Sequence, residues 1–133
     1  RKTEPLPTPG MPERPERLTD AELEVYDYIT SKLDNMRVLT ITDGKAIERY
    51  AYNYVRYWQA AEFVREHGET QPVMDKDGNV KSHVLRPESQ LLNTLNVQML
   101  KMEQDFGLTP SSRAGIQVEK TQDEDKQKQK FFA

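Results

Sequence analysis

The stretch TDGKAIERYAYNYVRYWQAAEFVREHG, from Thr42 to Gly68, decides the architecture. It contains no proline, and Ile47, Tyr50, Ala51, Tyr54, Trp58 and Ala61 fall on one face at helical period. Tyr52, Val55 and Phe63 lie off that face, so the helix is expected to be covered on more than one side. The pattern predicts a helix that begins near Thr40 to Thr42 and ends at His67, with Gly68 as its stop. At about 25 residues it would span roughly 37 Å, long for a chain of 133 residues. It is expected to be the backbone of the fold.

Upstream, Thr19-Asp20-Ala21-Glu22 has the form of a capping box, flanked by Leu18 and Leu23 as a hydrophobic staple. Leu23, Tyr26, Ile29 and Leu33 then repeat at helical spacing until Asp34-Asn35. Downstream the period changes. Val73-Met74 and Val80 to Val84 read as two short strands around the turn Asp75 to Asn79, which carries Gly78. Such a hairpin is marginal alone in water and must lean on a helix or on a neighbouring subunit. Pro87 opens a third helix in which Leu92, Leu95, Met99, Met102 and Phe106 form an a/d seam, widened by Leu91 and Leu100. The seam, with Trp58, can pair antiparallel with the long helix inside the protomer or be shared between subunits. In FGLTPSSR, Phe106 to Arg113, Gly107 can end the helix with Leu108 folded back on its last turn. Thr109 and Pro110 are suited to N-cap and first position of a short helix reaching about Val118.

The fold class is therefore mainly α: a three-helix protomer with one long central helix, a β-hairpin and a short C-terminal helix. Residues 1–17 hold five prolines and read as a disordered leader, residues 18–118 as the folded body, and residues 119–133 as a polar tail ending in Phe131-Phe132-Ala133. The hydrophobic fraction of 35% matches polar ends on a thin body that could complete its core against copies of itself. Without cysteine, disulfides and thiolate metal sites are excluded. No run is long and apolar enough for a membrane span and no signal peptide is recognisable, so a cytoplasmic setting is expected.

The net charge of −3 argues against overall basicity as a grip on nucleic acid, so any such contact must be a local patch repeated by oligomerisation. Lys45, Arg49 and Arg56 form a short basic row along the long helix, with Glu48 and Glu62 placed elsewhere on it; a solvated, salt-bridged face is the alternative. Arg14 and Arg17 could extend a basic arm, although Glu4, Glu13 and Glu16 offset them. Tyr50, Tyr52, Tyr54, Tyr57 and Trp58, interleaved with arginines, could stack on bases or pack in a core. The adjacent Phe131 and Phe132 read as a docking motif for a partner's groove, or as a tail that stays loose. Catalytic and metal constellations are not found. Val73 and Val84 would occupy obligatory ligand positions of a calcium loop built on Asp75 and Asp77, and His67 and His83 have no helical partner at metal spacing. No cofactor is expected.

The order and spacing of these elements resemble a family of bacteriophage terminase small subunits over about residues 18 to 118. The resemblance is carried by the Leu18-Thr19-Asp20 start of the first helix, the Thr42–Gly68 helix, the hairpin MDKDGNVKSHVLRP and the corner FGLTPSSRAGI. The sequence departs from the family pattern before Pro87, where Arg86 stands in the place of a histidine and His83 lies four residues ahead. The resemblance implies a non-enzymatic homo-oligomeric ring in the host cytoplasm. Such a ring binds the packaging site of double-stranded viral DNA and presents it to the large terminase subunit, and the tail would fit that subunit or the portal. Arg113, at the corner, joins the candidate DNA contacts. Two rivals remain open: a scaffolding oligomer of the phage particle that binds no DNA, and a small hydrolase whose site forms between subunits.

Overall fold

The computed structural model describes residues 8–115. The chain runs α1 (Asp20–Asn35), α2 (Gly44–His67), β1 (Thr70–Met74), β2 (Val80–Leu85) and α3 (Pro87–Asp105), followed by a short helix over residues 110–115. This is the mainly helical fold with one antiparallel hairpin that the patterning predicts. Residues up to Met99 and residues from Leu100 onward form two compact units.

The first unit is built on α1 packed against α2. The capping box is made in both directions: the Glu22 amide donates to Thr19 Oγ1, and the Thr19 amide donates to Glu22 Oε1, each at 3.3 Å. Tyr26, Ile29 and Leu33 of α1 are buried together with Leu39, Ile47, Tyr50 and Ala51. Buried Thr30 is satisfied by donating to the Tyr26 carbonyl at 2.9 Å. The end of α1 is a Schellman motif: the Arg37 amide bonds the Asp34 carbonyl and the Val38 amide bonds that of Leu33. The left-handed position that glycine usually fills there is held by Arg37, at φ 59°.

The long helix starts at Gly44, later than its sequence pattern suggests. Thr40 is taken up in a bridge to Pro9, and Asp43 Oδ2 accepts from the Thr40 amide at 2.8 Å instead of capping the helix. That bridge also ties the segment before α1 to the body. Residues 8–17, expected to belong to a disordered leader, lie on the body: Gly10 and Ile41 amides bond the Leu39 and Thr8 carbonyls, and Pro12 is buried beside Gly44. Its three prolines, Pro9, Pro12 and Pro15, suppress helix and sheet, but they also limit the entropy lost when an extended segment is docked.

At 16 residues α1 can cover only part of the 24-residue α2. Burial along α2 follows: Ile47, Tyr50 and Ala51 are inside, Tyr54 is half-buried and Trp58 is 41% exposed. Tyr52 is 52% exposed, but Ala60, on the side of the helix away from Ile47 and Ala51, is only 6% exposed and Val55 and Phe63 are half-buried, so α2 is covered on more than one side, as its pattern suggested. Of the a/d seam on α3, Leu95 and Met99 are buried within the chain, while Leu92, Met102 and Phe106 are half-buried.

The hairpin pairs Thr70 with Leu85 through Met74 with Val80, with a bulge after Val73. Its turn is organised by Asp75, whose Oδ1 accepts from the Asp77 and Asn79 amides at 2.9 and 2.8 Å, with Gly78 at φ 82°. At its base Arg86 joins two helices. Its Nε donates to the Gly68 carbonyl and its Nη2 to that of His67, both at 2.8 Å. Ser89 Oγ donates to the Glu69 carbonyl at 2.7 Å, so the start of α3 is fixed to the segment that ends α2.

In the second unit, α3 ends as its sequence predicts. Gly107 is left-handed at φ 76°, its amide bonds the Gln104 carbonyl, and the Leu108 amide reaches that of Glu103. Thr109 then caps the short helix through the Ser112 amide, and Ser112 Oγ returns the contact to the Thr109 amide.

Candidate nucleic-acid interface

The N-terminal end of α2 and the docked segment before α1 form two neighbouring open clefts, of about 500 and 520 Å³. The first is walled by Arg14, Glu16 and Arg17 on one side and Thr42, Lys45 and Glu48 on the other. The second is lined by Arg17, Leu18, Glu22, Lys45, Glu48, Arg49 and Tyr52. Four of the six sequence-predicted cations, Arg14, Arg17, Lys45 and Arg49, thus line adjoining clefts. The docking of residues 8–17 is what brings the first two of them to the last two.

The charges there are not equivalent. Arg14 pairs with Asp27 at 3.2 Å, both exposed, and Lys45 pairs with Glu48 at 3.2 Å. Such surface pairs are worth about 0–1 kcal/mol and yield readily to a stronger anion. Among the described residues neither Arg17 nor Arg49 forms an ion pair. Two turns beyond Arg49, the Arg56 guanidinium lies 5.1 Å from the Tyr52 ring centroid and donates to Asn53 Oδ1 at 3.5 Å. The wall is mixed: Glu22 is 7% exposed, and its Oε2 is buried without a hydrogen-bond partner. A carboxylate lining the cleft disfavours deep entry of a polyanion. The Tyr26 phenol, beneath the first cleft, is held protonated beyond the usual tyrosine range by its burial, with Glu48 and Asp27 adding and Arg14 opposing.

Two readings of the sequence change here. Glu48, placed away from the basic row by its pattern, lines both clefts, and its spacing of three from Lys45 was the signal for that pair. The aromatic beside the cations is Tyr52, whereas Tyr50 is buried and tilted against Tyr54 at 6.2 Å, and Trp58 meets Tyr54 and Tyr57 edge to face at 6.4 and 5.2 Å. Arg113 belongs to the second unit and donates to the Leu108 carbonyl at 3.0 Å, bracing its own corner. Phe131 and Phe132 lie outside the described residues.

Among the described residues no group of three or more His, Cys, Asp or Glu is arranged to hold a metal ion. His67 stacks on Phe63 at 4.0 Å, and His83 is exposed on β2. No described helix is long and apolar enough to cross a membrane.

The sequence model of the family described as phage terminase, small subunit, matches residues 23–123. The chain belongs to the phage terminase small-subunit family. Terminase small subunits are as a family non-catalytic. The match spans α1, α2, the hairpin, α3 and the corner, so every element described above except the docked N-terminal segment lies almost wholly within it. No curated protein and no solved structure matches the chain.

Proposed function

We propose that this terminase small subunit is a DNA-binding and regulatory component of a genome-packaging motor. It binds double-stranded viral DNA at the packaging region and recruits the large subunit in the host cytoplasm. What supports the DNA reading is the convergence of Arg14, Arg17, Lys45 and Arg49 on adjoining clefts, with Arg56 two turns on. The protomer carries a net −3, so single-copy affinity is low. A ring repeats the patch and adds the weak contacts through effective concentration.

The test is binding of labelled duplex DNA as a function of salt. Each phosphate contact contributes a slope of about −0.9 in log K against log salt. The pair Arg17→Ala with Arg49→Ala is expected to weaken binding at least tenfold and flatten the slope by about 2 for each protomer engaged. Unchanged affinity and slope would remove this surface from DNA recognition. Absence of duplex binding altogether would favour the scaffolding role. For the large subunit, Phe131→Ala with Phe132→Ala is expected to weaken capture while the oligomer stays intact; undiminished capture would discard the docking tail.

A further inference from the structure

Most exposed apolar side chains of the first unit already have a neighbour. Lys32 lies over Tyr28, Arg56 over Tyr52 and Arg65 over Trp58, at 5.1–5.5 Å from the ring centroids. Ile41 lines the ionic cleft. Two aliphatic faces remain among the described residues.

One is on α3. From Ser89 to Leu100 the sequence SQLLNTLNVQML carries no ionisable group, in a chain that is 31% charged. Leu95 and Met99 point inward, but Asn93, Asn96, Val97 and Leu100 form a second, exposed stripe at i, i+3, i+4 and i+7, with Val97 69% and Leu100 49% exposed. A solvated helix face of this chain would carry charges, as those of α1 and α2 do. Interface centres are depleted in them.

The other is on the hairpin. By register, Leu85, His83, Pro72, Met74 and Val80 share one side of the ribbon, and Met74, Val80 and Leu85 are 45–53% exposed. Every residue of β2 is exposed, so the ribbon has little cover in its own chain, and a two-stranded hairpin needs some. Pro72 lacks an amide and Lys81 sits at the bulge, both features that discourage edge-on strand addition; the ribbon is suited to packing by its face.

We infer that the hairpin face of one protomer (Pro72, Met74, Val80, Leu85) seats on the uncharged α3 stripe (Asn93, Asn96, Val97, Leu100) of a second copy. The electrostatics select this occupant. DNA needs cations that the stripe lacks, and an acidic or basic partner would strand its charges there. The chain's own hairpin offers such a face among the described residues, aliphatic and free of Lys, Arg, Asp and Glu, with His83 as its one ionisable side chain. Two different complementary patches on one chain make a heterologous contact, the type that generates rings when the rotation closes. The inference rests on the ring reading and names the contact that builds it.

Because the chain has no cysteine, the contact can be read by oxidative cross-linking of the full protein. Met74→Cys protein mixed with Val97→Cys protein is expected to give disulfide-linked pairs, each alone is not, and the chain with both substitutions is expected to give a ladder of covalent oligomers. Light scattering on Val97→Lys should show loss of the assembly, with helix content by circular dichroism unchanged. Val97→Cys linking to itself would mean that α3 faces α3 and would overturn the hairpin contact while leaving the oligomer. The same holds if the unlike pair fails to link although the unsubstituted protein assembles. A single species of 15.5 kDa at micromolar concentration would overturn the ring reading itself, and the contact with it.

Discussion

Arg37 occupies the left-handed position that closes α1, with the two Schellman hydrogen bonds in place around it. A side chain there costs about 1 kcal/mol relative to glycine, so Arg37→Gly is expected to raise stability by about that much, seen as a higher urea midpoint at unchanged m-value. Gly107 closes α3 by the same hydrogen-bond pattern with the residue that the geometry favours, which is why that end was legible in sequence and the end of α1 was not. Tyr26 gives a second prediction at this scale. Burial favours its neutral form in the folded protein, so the folded state keeps the proton to higher pH than the unfolded chain does. The stability this contributes is intact below the ordinary tyrosine pKa of about 10 and is lost as pH rises through the folded value. Tyr26→Phe should therefore flatten the fall in urea midpoint between about pH 9 and about pH 12, and an unaltered fall would assign it to other groups.

At the scale of elements, Arg86 holds together the end of α2, the base of the hairpin and the start of α3. Its two bonds to the His67 and Gly68 carbonyls place a cation at the negative end of α2 and satisfy acceptors that the helix cannot. Arg86→Ala is expected to cost about 1–2 kcal/mol, with Arg86→Lys restoring only part because a point charge cannot bridge both carbonyls in one plane. Hydrogen exchange should show the loss concentrated at Gly68 and at the hairpin; uniform destabilisation would count against a capping role. The docked N-terminal segment carries no periodic signal in its sequence. A β-carbon on Gly44 would lie 3.0 Å from Pro12, so Gly44→Leu should displace the segment and expose the Gly10 and Ile41 amides to exchange. It should also weaken duplex binding, since Arg14 and Arg17 are carried on that segment.

For the whole molecule, the pattern of periods and caps was enough to order the helices and place the hairpin, because those signals are local: a capping box at Thr19, a glycine stop at Gly68, a proline start at Pro87. The family, too, could be read from that order, and its match over residues 23–123 agrees. The candidate DNA cations were legible as residue types, but not as a site. Arg17 and Arg49 are 32 positions apart, and they line one cleft only because Pro9 bridges Thr40 and Pro12 packs on Gly44. Their neighbours Glu22 and Glu48 are likewise set by the packing of α1 on α2. The fate of the aromatic cluster was also tertiary: α1 is too short to cover the far half of α2, so Tyr50 is buried and Trp58 is exposed. By itself the sequence determined the elements, since helix period, caps and turns depend on neighbours within a few residues. Which charges meet, and which apolar faces stay exposed, was decided only by the tertiary structure, because those pairings join residues whose separation along the chain carries no periodic signal.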